Sequence, residues 1–192
     1  GGDISDWTSG EGGKTVEVLG DVDMKGVEWT AIGTAERPFD GIVAGNEHLI
    51  LNWNTTQPLF GYMGEGSEIR DLTIDATSKL TAKSVAKDVY AAAFAGVCNG
   101  TLKNCRNMAA VTLDVTATVA GACGVAGVAG LVGATGRVEG CSNTAFITLG
   151  SNVTGDKVSV GGVVAETEAG AVVTGCSNEG GISSTGATPK VN

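Results

Sequence analysis

One six-residue phrase recurs along the chain and constrains what it can fold into. Residues 101–112 read TLKNCRNMAAVT, residues 137–148 read RVEGCSNTAFIT and residues 172–183 read VVTGCSNEGGIS, so apolar-x-x-Cys-x-Asn returns three times. Cys105, Cys141 and Cys176 stand 36 and then 35 residues apart, and Leu72, in SEIRDLTID, keeps the phase 33 residues before Cys105. Self-similarity at a period of about 20–50 residues marks a solenoid, in which each repeat buries its apolar face only against its neighbours.

Each repeat carries the same elements in the same order. A run of small and apolar residues precedes the phrase: PLFGYMG at 58–64, AFAGVCNG at 93–100, VAGLVGATG at 128–136 and VGGVVAETEAG at 160–170. A third run, AAVTLDV at 109–115 and AFITLG at 145–150, alternates apolar and polar residues as a half-buried strand does. Helices are not expected, because Gly interrupts nearly every candidate window and no capping pattern appears. Three short strands in about 35 residues make one coil of a right-handed, single-stranded parallel β-helix with three sides, its coils stacked about 4.8 Å apart.

Stacking places equivalent residues above one another. Leu72, Cys105, Cys141 and Cys176 are then expected in one inward column, the cysteines acting as small apolar residues. Asn107, Asn143 and Asn178 form a second column, inside or at the following corner. Their amides can bond along the stack, and an outward, ligand-reading column is the functional alternative. The domain reading is one continuous unit, with irregular capping coils over 1–57 and regular repeats over 58–192.

Composition excludes several classes. Gly supplies 31 of 192 residues with only three Pro, which suits turns and tight packing rather than a collagen-like or disordered chain. A net charge of −9 with 12 Lys+Arg spread along the chain offers no basic face for nucleic acid. Five cysteines without a CxxC pair fit neither a disulfide framework nor a zinc site and read as buried free thiols. The uncharged run 117–134 is long enough to raise a membrane span, but its five Gly and single Leu leave little transfer gain, so no span is expected. Gly1-Gly2-Asp3 reads as a mature edge, and SSTGATPKVN at 183–192 as a polar tail that leaves room for a closing coil or partner domain.

Residues 16–64 carry a second pattern, of strand-like runs ending at Gly or Asp-Gly turns. Asp21-Val22-Asp23-Met24, Trp29-Thr30-Ala31-Ile32-Gly33, Pro38-Phe39-Asp40-Gly41, Gly45-Asn46-Glu47-His48-Leu49-Ile50, Pro58-Leu59-Phe60-Gly61-Tyr62 and Ile69-Arg70-Asp71-Leu72 resemble β-helical surface proteins with GLUG-type repeats, of gut Bacteroidales and some Gram-positive bacteria. The resemblance covers residues 16 to 75 and reaches the later repeats only through their rhythm. Family members usually have Gly where this chain has Glu47. The resemblance implies a secreted or cell-surface β-helix, often anchored at the outer membrane, and no catalytic residues.

Read for chemistry, the chain offers Arg70, Asp71 and Asp75, with Lys79, and with His48 if the preceding coil lies beneath. This is the best candidate for the acid and base groups that polysaccharide-cleaving β-helices carry on an outer face, and its specificity is poor. Its alternative is an ordinary solvated face, so no catalytic residue is assigned. The single His48 and the absence of a nucleophile elbow leave no triad. Asp21 and Asp23 are too few oxygens for calcium. No metal or cofactor is expected, and the acceptor patterns at 54–56, 99–101 and 152–154 carry no weight. The function expected is an extracellular adhesion module binding glycans or host surface proteins through loops 76–90, 116–126 and 150–158 or a sheet face. A polysaccharide lyase or hydrolase and a rigid spacer are the alternatives.

Overall fold

A computed structural model describes residues 14–83, 87–115, 120–150 and 153–184. The expected mature edge at Gly1–Asp3, the tail beyond Ser184, and parts of the three loops lie outside those residues. The chain winds as a parallel β-helix. The first coil holds β1 (Thr15–Glu17) and β2 (Val22–Asp23); the second holds β3 (Ile42–Ala44), β4 (Leu49–Leu51), β5 (Asn54–Thr55) and β6 (Phe60–Met63). Three fuller coils follow: β7 (Glu68–Arg70), β8 (Thr73–Ile74), β9 (Lys79–Ala82), β10 (Val89–Ala91) and β11 (Ala95–Cys98); β12 (Thr101–Lys103), β13 (Arg106–Asn107), β14 (Ala110–Leu113), β15 (Ala122–Ala126) and β16 (Ala129–Val132); β17 (Arg137–Glu139), β18 (Ser142–Asn143), β19 (Ile147–Leu149), β20 (Lys157–Gly161) and β21 (Val164–Thr167). A last partial coil holds β22 (Val172–Thr174), β23 (Ser177–Asn178) and β24 (Ile182–Ser184). No helix occurs among the described residues.

Equivalent strands stack into five parallel sheets, in coil order β1-β3-β7-β12-β17-β22 (sheet I), β2-β4-β8-β13-β18-β23 (II), β5-β9-β14-β19-β24 (III), β10-β15-β20 (IV) and β6-β11-β16-β21 (V). The three strands read per repeat are thus five in a complete coil. Much of what sequence presents as long loops is sheet IV, whose strands pair Val89 with Cys123 and Cys123 with Val158. The run 117–134, raised as a span, contains β15 and β16, and no described helix is long and apolar enough to cross a membrane.

Register along sheet I gives the length of each coil. Thr15 pairs Ile42, Ile42 pairs Glu68, Glu68 pairs Thr101, Thr101 pairs Arg137 and Arg137 pairs Val172, steps of 27, 26, 33, 36 and 35 residues. The lengthening falls between sheets III and V. In the second coil β5 runs almost directly into β6, whereas from the third coil onward an extra strand of sheet IV intervenes.

One apolar core runs through the coils. The column Val43, Ile69, Leu102, Val138 is buried along sheet I, as is Leu80, Val111, Ile147 along sheet III. The short coils are filled by large rings. Trp53 and Phe39 are fully buried, Phe39 packs on Phe60 at 4.6 Å, and Trp29 meets Trp53 edge-on at 6.1 Å while donating its Nε1–H to Pro58 O. The long coils hold Ala91, Ala93, Cys123, Val125 and Ala129 instead, with Gly124 and Gly130 facing the Tyr90 ring. At the far end the same columns emerge, with Val173 and Ile182 exposed on the final coil.

From the second coil onward the turn from sheet I to sheet II is left-handed: Glu47 (φ 62°), Asp71 (53°), Asn104 (51°), Gly140 (61°) and Gly175 (62°). Glycine suits the last two without a Cβ penalty. Glu47 holds the same left-handed geometry with a side chain.

Candidate functional site

The four residues of the repeat phrase's inner column stack in register: Arg106 N bonds Leu72 O, Ser142 N bonds Cys105 O and Ser177 N bonds Cys141 O. Leu72, Cys105 and Cys141 are buried and Cys176 is half-buried; all are free of disulfides, as are Cys98 and Cys123. Each thiol of the column reaches back to two sheet I carbonyls, Cys105 to Ile69 O and Lys103 O, Cys141 to Leu102 O and Glu139 O, Cys176 to Val138 O and Thr174 O, at 3.4–3.5 Å. A thiol there fills space and gives corner carbonyls a weak donor. Burial pushes the Cys105 thiol well up, while its neighbour Cys141 is drawn down by the contact with Cys105.

The asparagines form a continuous amide ladder inside the coil. Asn107 Nδ2 donates to Asn143 Oδ1 at 2.8 Å, and Asn143 Nδ2 donates to Asn178 Oδ1 at 2.7 Å. Each amide also donates to the carbonyl two residues on: Ala109, Ala145 and Gly180. Asn107 and Asn143 are wholly buried. The turn joining sheets IV and V lies against the ladder, and Gly127 there has room only for hydrogen, since a Cβ would sit 2.4 Å from Asn143 Cγ. Nothing in the ladder faces solvent except its last member, Asn178.

Arg70, Asp71 and Asp75 each engage a different hydrogen-bond partner. Arg70 ends β7 with its guanidinium on Glu68 Oε1 at 2.5 Å, which raises its pKa. Asp71 occupies the left-handed corner and accepts Asn104 Nδ2 at 3.2 Å. Asp75, beyond β8, accepts Thr77 N–H at 2.9 Å, which holds its carboxyl below the usual range. A shallow hollow of about 440 Å³ on this corner contains Asp71 with Glu47 and Arg106, but neither Arg70 nor Asp75. His48 lies one coil below, 3.4 Å from Asp21, whose carboxylate also takes the Leu49 N–H. Asp23 binds Lys25 N–H and the Asn52 amide. Among the described residues no group of three or more His, Cys, Asp or Glu is placed to hold a metal ion.

A more pronounced concavity lies on the opposite side of the coil, at the change of coil length. Sheet IV begins with β10, and among the described residues the short second coil has no strand beneath it, so β10 overhangs Pro58, Gly61 and Tyr62. The space under this ledge is a groove of about 550 Å³ lined by Tyr62 and Tyr90, with Gln57, Lys83, Lys87 and Asp88 at its polar positions. Gly61 and Gly96 keep its floor low: a Cβ on Gly96 would approach Gly61 O at 2.9 Å. Along the groove side β10 has no strand partner among the described residues, so its edge amides and carbonyls face the space.

Tyr90 is anchored from behind. Its hydroxyl donates to Glu166 Oε2 at 3.3 Å, and Lys157 Nζ donates to Glu166 Oε1 at 2.6 Å. Burial, then the Glu166 charge, pushes the phenol up to about 12, so it stays a protonated donor. Asp88 is engaged too, its Oδ1 accepting the Ala122 N–H at 2.9 Å. Of the sequence-level candidates only the 76–90 loop enters the groove. Tyr62 and the ledge went unread, because the groove arises from a strand the short coil lacks.

No family model matches the chain, and neither the curated proteins nor the solved structures contain a match to it.

Proposed function

We propose that the protein is an extracellular surface module that binds glycan in the groove beneath β10. The observation that carries this reading is that Tyr62 and Tyr90 both line a groove of about 550 Å³, with edge-strand backbone groups and polar side chains beside them. Aromatic rings offer flat apolar area to the C–H faces of a sugar, and fixed donors and acceptors answer its hydroxyls. A β-helix is a stiff support for such a site, so little ordering cost falls on binding. The GLUG-like pattern of residues 16–75 supports a cell-surface location, and the local partners of Arg70, Asp71 and Asp75 favour binding over cleavage.

The test is a glycan array with the whole chain, read for both retention and released fragments. Saturable retention that falls at least tenfold in Tyr62→Ala, with polymers left intact, supports the reading. Shortened polymer, or retention indifferent to Tyr62→Ala and Tyr90→Phe, overturns it.

A further inference from the structure

The groove beneath β10 does not end at Thr56. It runs into a second hollow of about 700 Å³ on the outer side of sheet III, and the two share Thr56 and Lys83. Lys79 lines the second hollow beside Trp29, Lys83 stands at the junction, and Lys87 lines the first. All three lysines are exposed. Lys79 and Lys83 alternate with buried Leu80 and Ala82, so they project from one face about 13 Å apart.

Three of the twelve cationic side chains thus follow one continuous trough, on a protein whose net charge is −9. The carboxylates lining it are Glu28 and Asp88, and Asp88 is already bound to the Ala122 amide. A trough with a ring at intervals and a cation between rings matches an extended chain that alternates sugar faces with negative groups. We propose that the glycan bound here is an acidic polysaccharide, bearing carboxylate or sulfate groups, held by Lys79, Lys83 and Lys87 across both hollows. This rests on the glycan-binding reading of the groove and adds the chemical class of the ligand.

Polygalacturonate, dextran sulfate and neutral dextran are the probes, each titrated with the full chain at about 0.05 M and about 0.5 M salt. The expected result is binding of the two acidic polymers, weakened at least tenfold by high salt and at least tenfold by the combined Lys79→Gln, Lys83→Gln and Lys87→Gln variant. The three side chains are exposed, so that variant should melt with the wild type. A Lys103→Gln, Arg106→Gln variant, altered on the other side of the coil, should bind as the wild type does. Loss of affinity equal to that of the triple variant would show general charge attraction and overturn the assignment to the trough. Neutral dextran bound as tightly as the acidic polymers would overturn the acidic class while leaving the glycan reading standing. Failure of every polymer, together with a silent array, would remove both.

Discussion

The coils starting at Thr15 and Ile42 advance by 27 and 26 residues and are filled by Trp53, Phe39, Phe60 and Met63, whereas those from Glu68 onward advance by 33 to 36 and are filled by Leu and Ile columns, the single ring of Phe94, many Ala, Val and Cys, and an Asn ladder. A short coil has few inward positions and reaches native packing density only with large rings. A long coil folds an extra strand back against sheet V, and small residues such as Ala91, Ala95, Cys123, Val125 and Ala129 pack at that contact. The groove is the shelf between the two regimes.

The contrast is broken most severely by Trp53→Ala, which should cost about 3–5 kcal/mol in denaturant unfolding, against about 1–2 for Val111→Ala in the fourth coil. Trp53→Phe should cost far less than truncation, because the fully buried Trp53 Nε1 has no acceptor among the described residues and its removal leaves nothing unpaired. Equal losses for Trp53→Ala and Val111→Ala would refute the reading that large rings carry the packing of the short coils.

Next comes the ladder. Asn143→Ala strips the Asn107 amide of its acceptor and the Asn178 carbonyl of its donor, and should cost about 3 kcal/mol. The same change at exposed Asn178 should cost under about 1 kcal/mol. Similar costs at the two positions would mean that burial does not set the ladder's strength.

Gly127→Ala drives a methyl onto the Asn143 amide and Gly162 O and should cost about 2 kcal/mol, while Gly20→Ala in the first coil, with open space around it, should stay within about 0.5. Combining Gly127→Ala with Asn143→Ala sharpens the comparison. The two costs should fall short of additive, since both act on one contact.

The last expected effect appears only under alkaline conditions. Burial raises the Cys98 thiol from 9.0 to about 12, so the folded chain holds that proton more tightly than the unfolded chain. Its contribution is complete below pH 9 and is lost between pH 9 and 12, at about 1.4 kcal/mol per pH unit. Cys98→Ala should flatten that part of the stability profile, and an unchanged slope would place the titration elsewhere.

What was legible in sequence tracks what repeats in place. Cys105, Cys141 and Cys176 recur because each meets equivalent sheet I carbonyls, and Asn107, Asn143 and Asn178 because an amide ladder needs the same residue at every level. Sheet IV was not legible: Val89–Ala91, Ala122–Ala126 and Lys157–Gly161 share neither residues nor a clean alternation, since their packing demands only small side chains on one face. Gly127 and Gly162 carried a missed signal, each standing 16 residues before the asparagine that its turn packs against. No motif joined Tyr62 to Tyr90, because what unites them is a difference in length between successive coils.

The most direct test of that shelf as the binding site is an amide chemical-shift titration of the whole chain with oligogalacturonate. Saturating shifts should cluster at Gly61, Tyr62, Lys83, Tyr90 and Gly96, with the corner at Asp71, Asn104 and Gly140 unmoved. Shifts confined to that corner, or no saturable shift at any amide, would contradict the account.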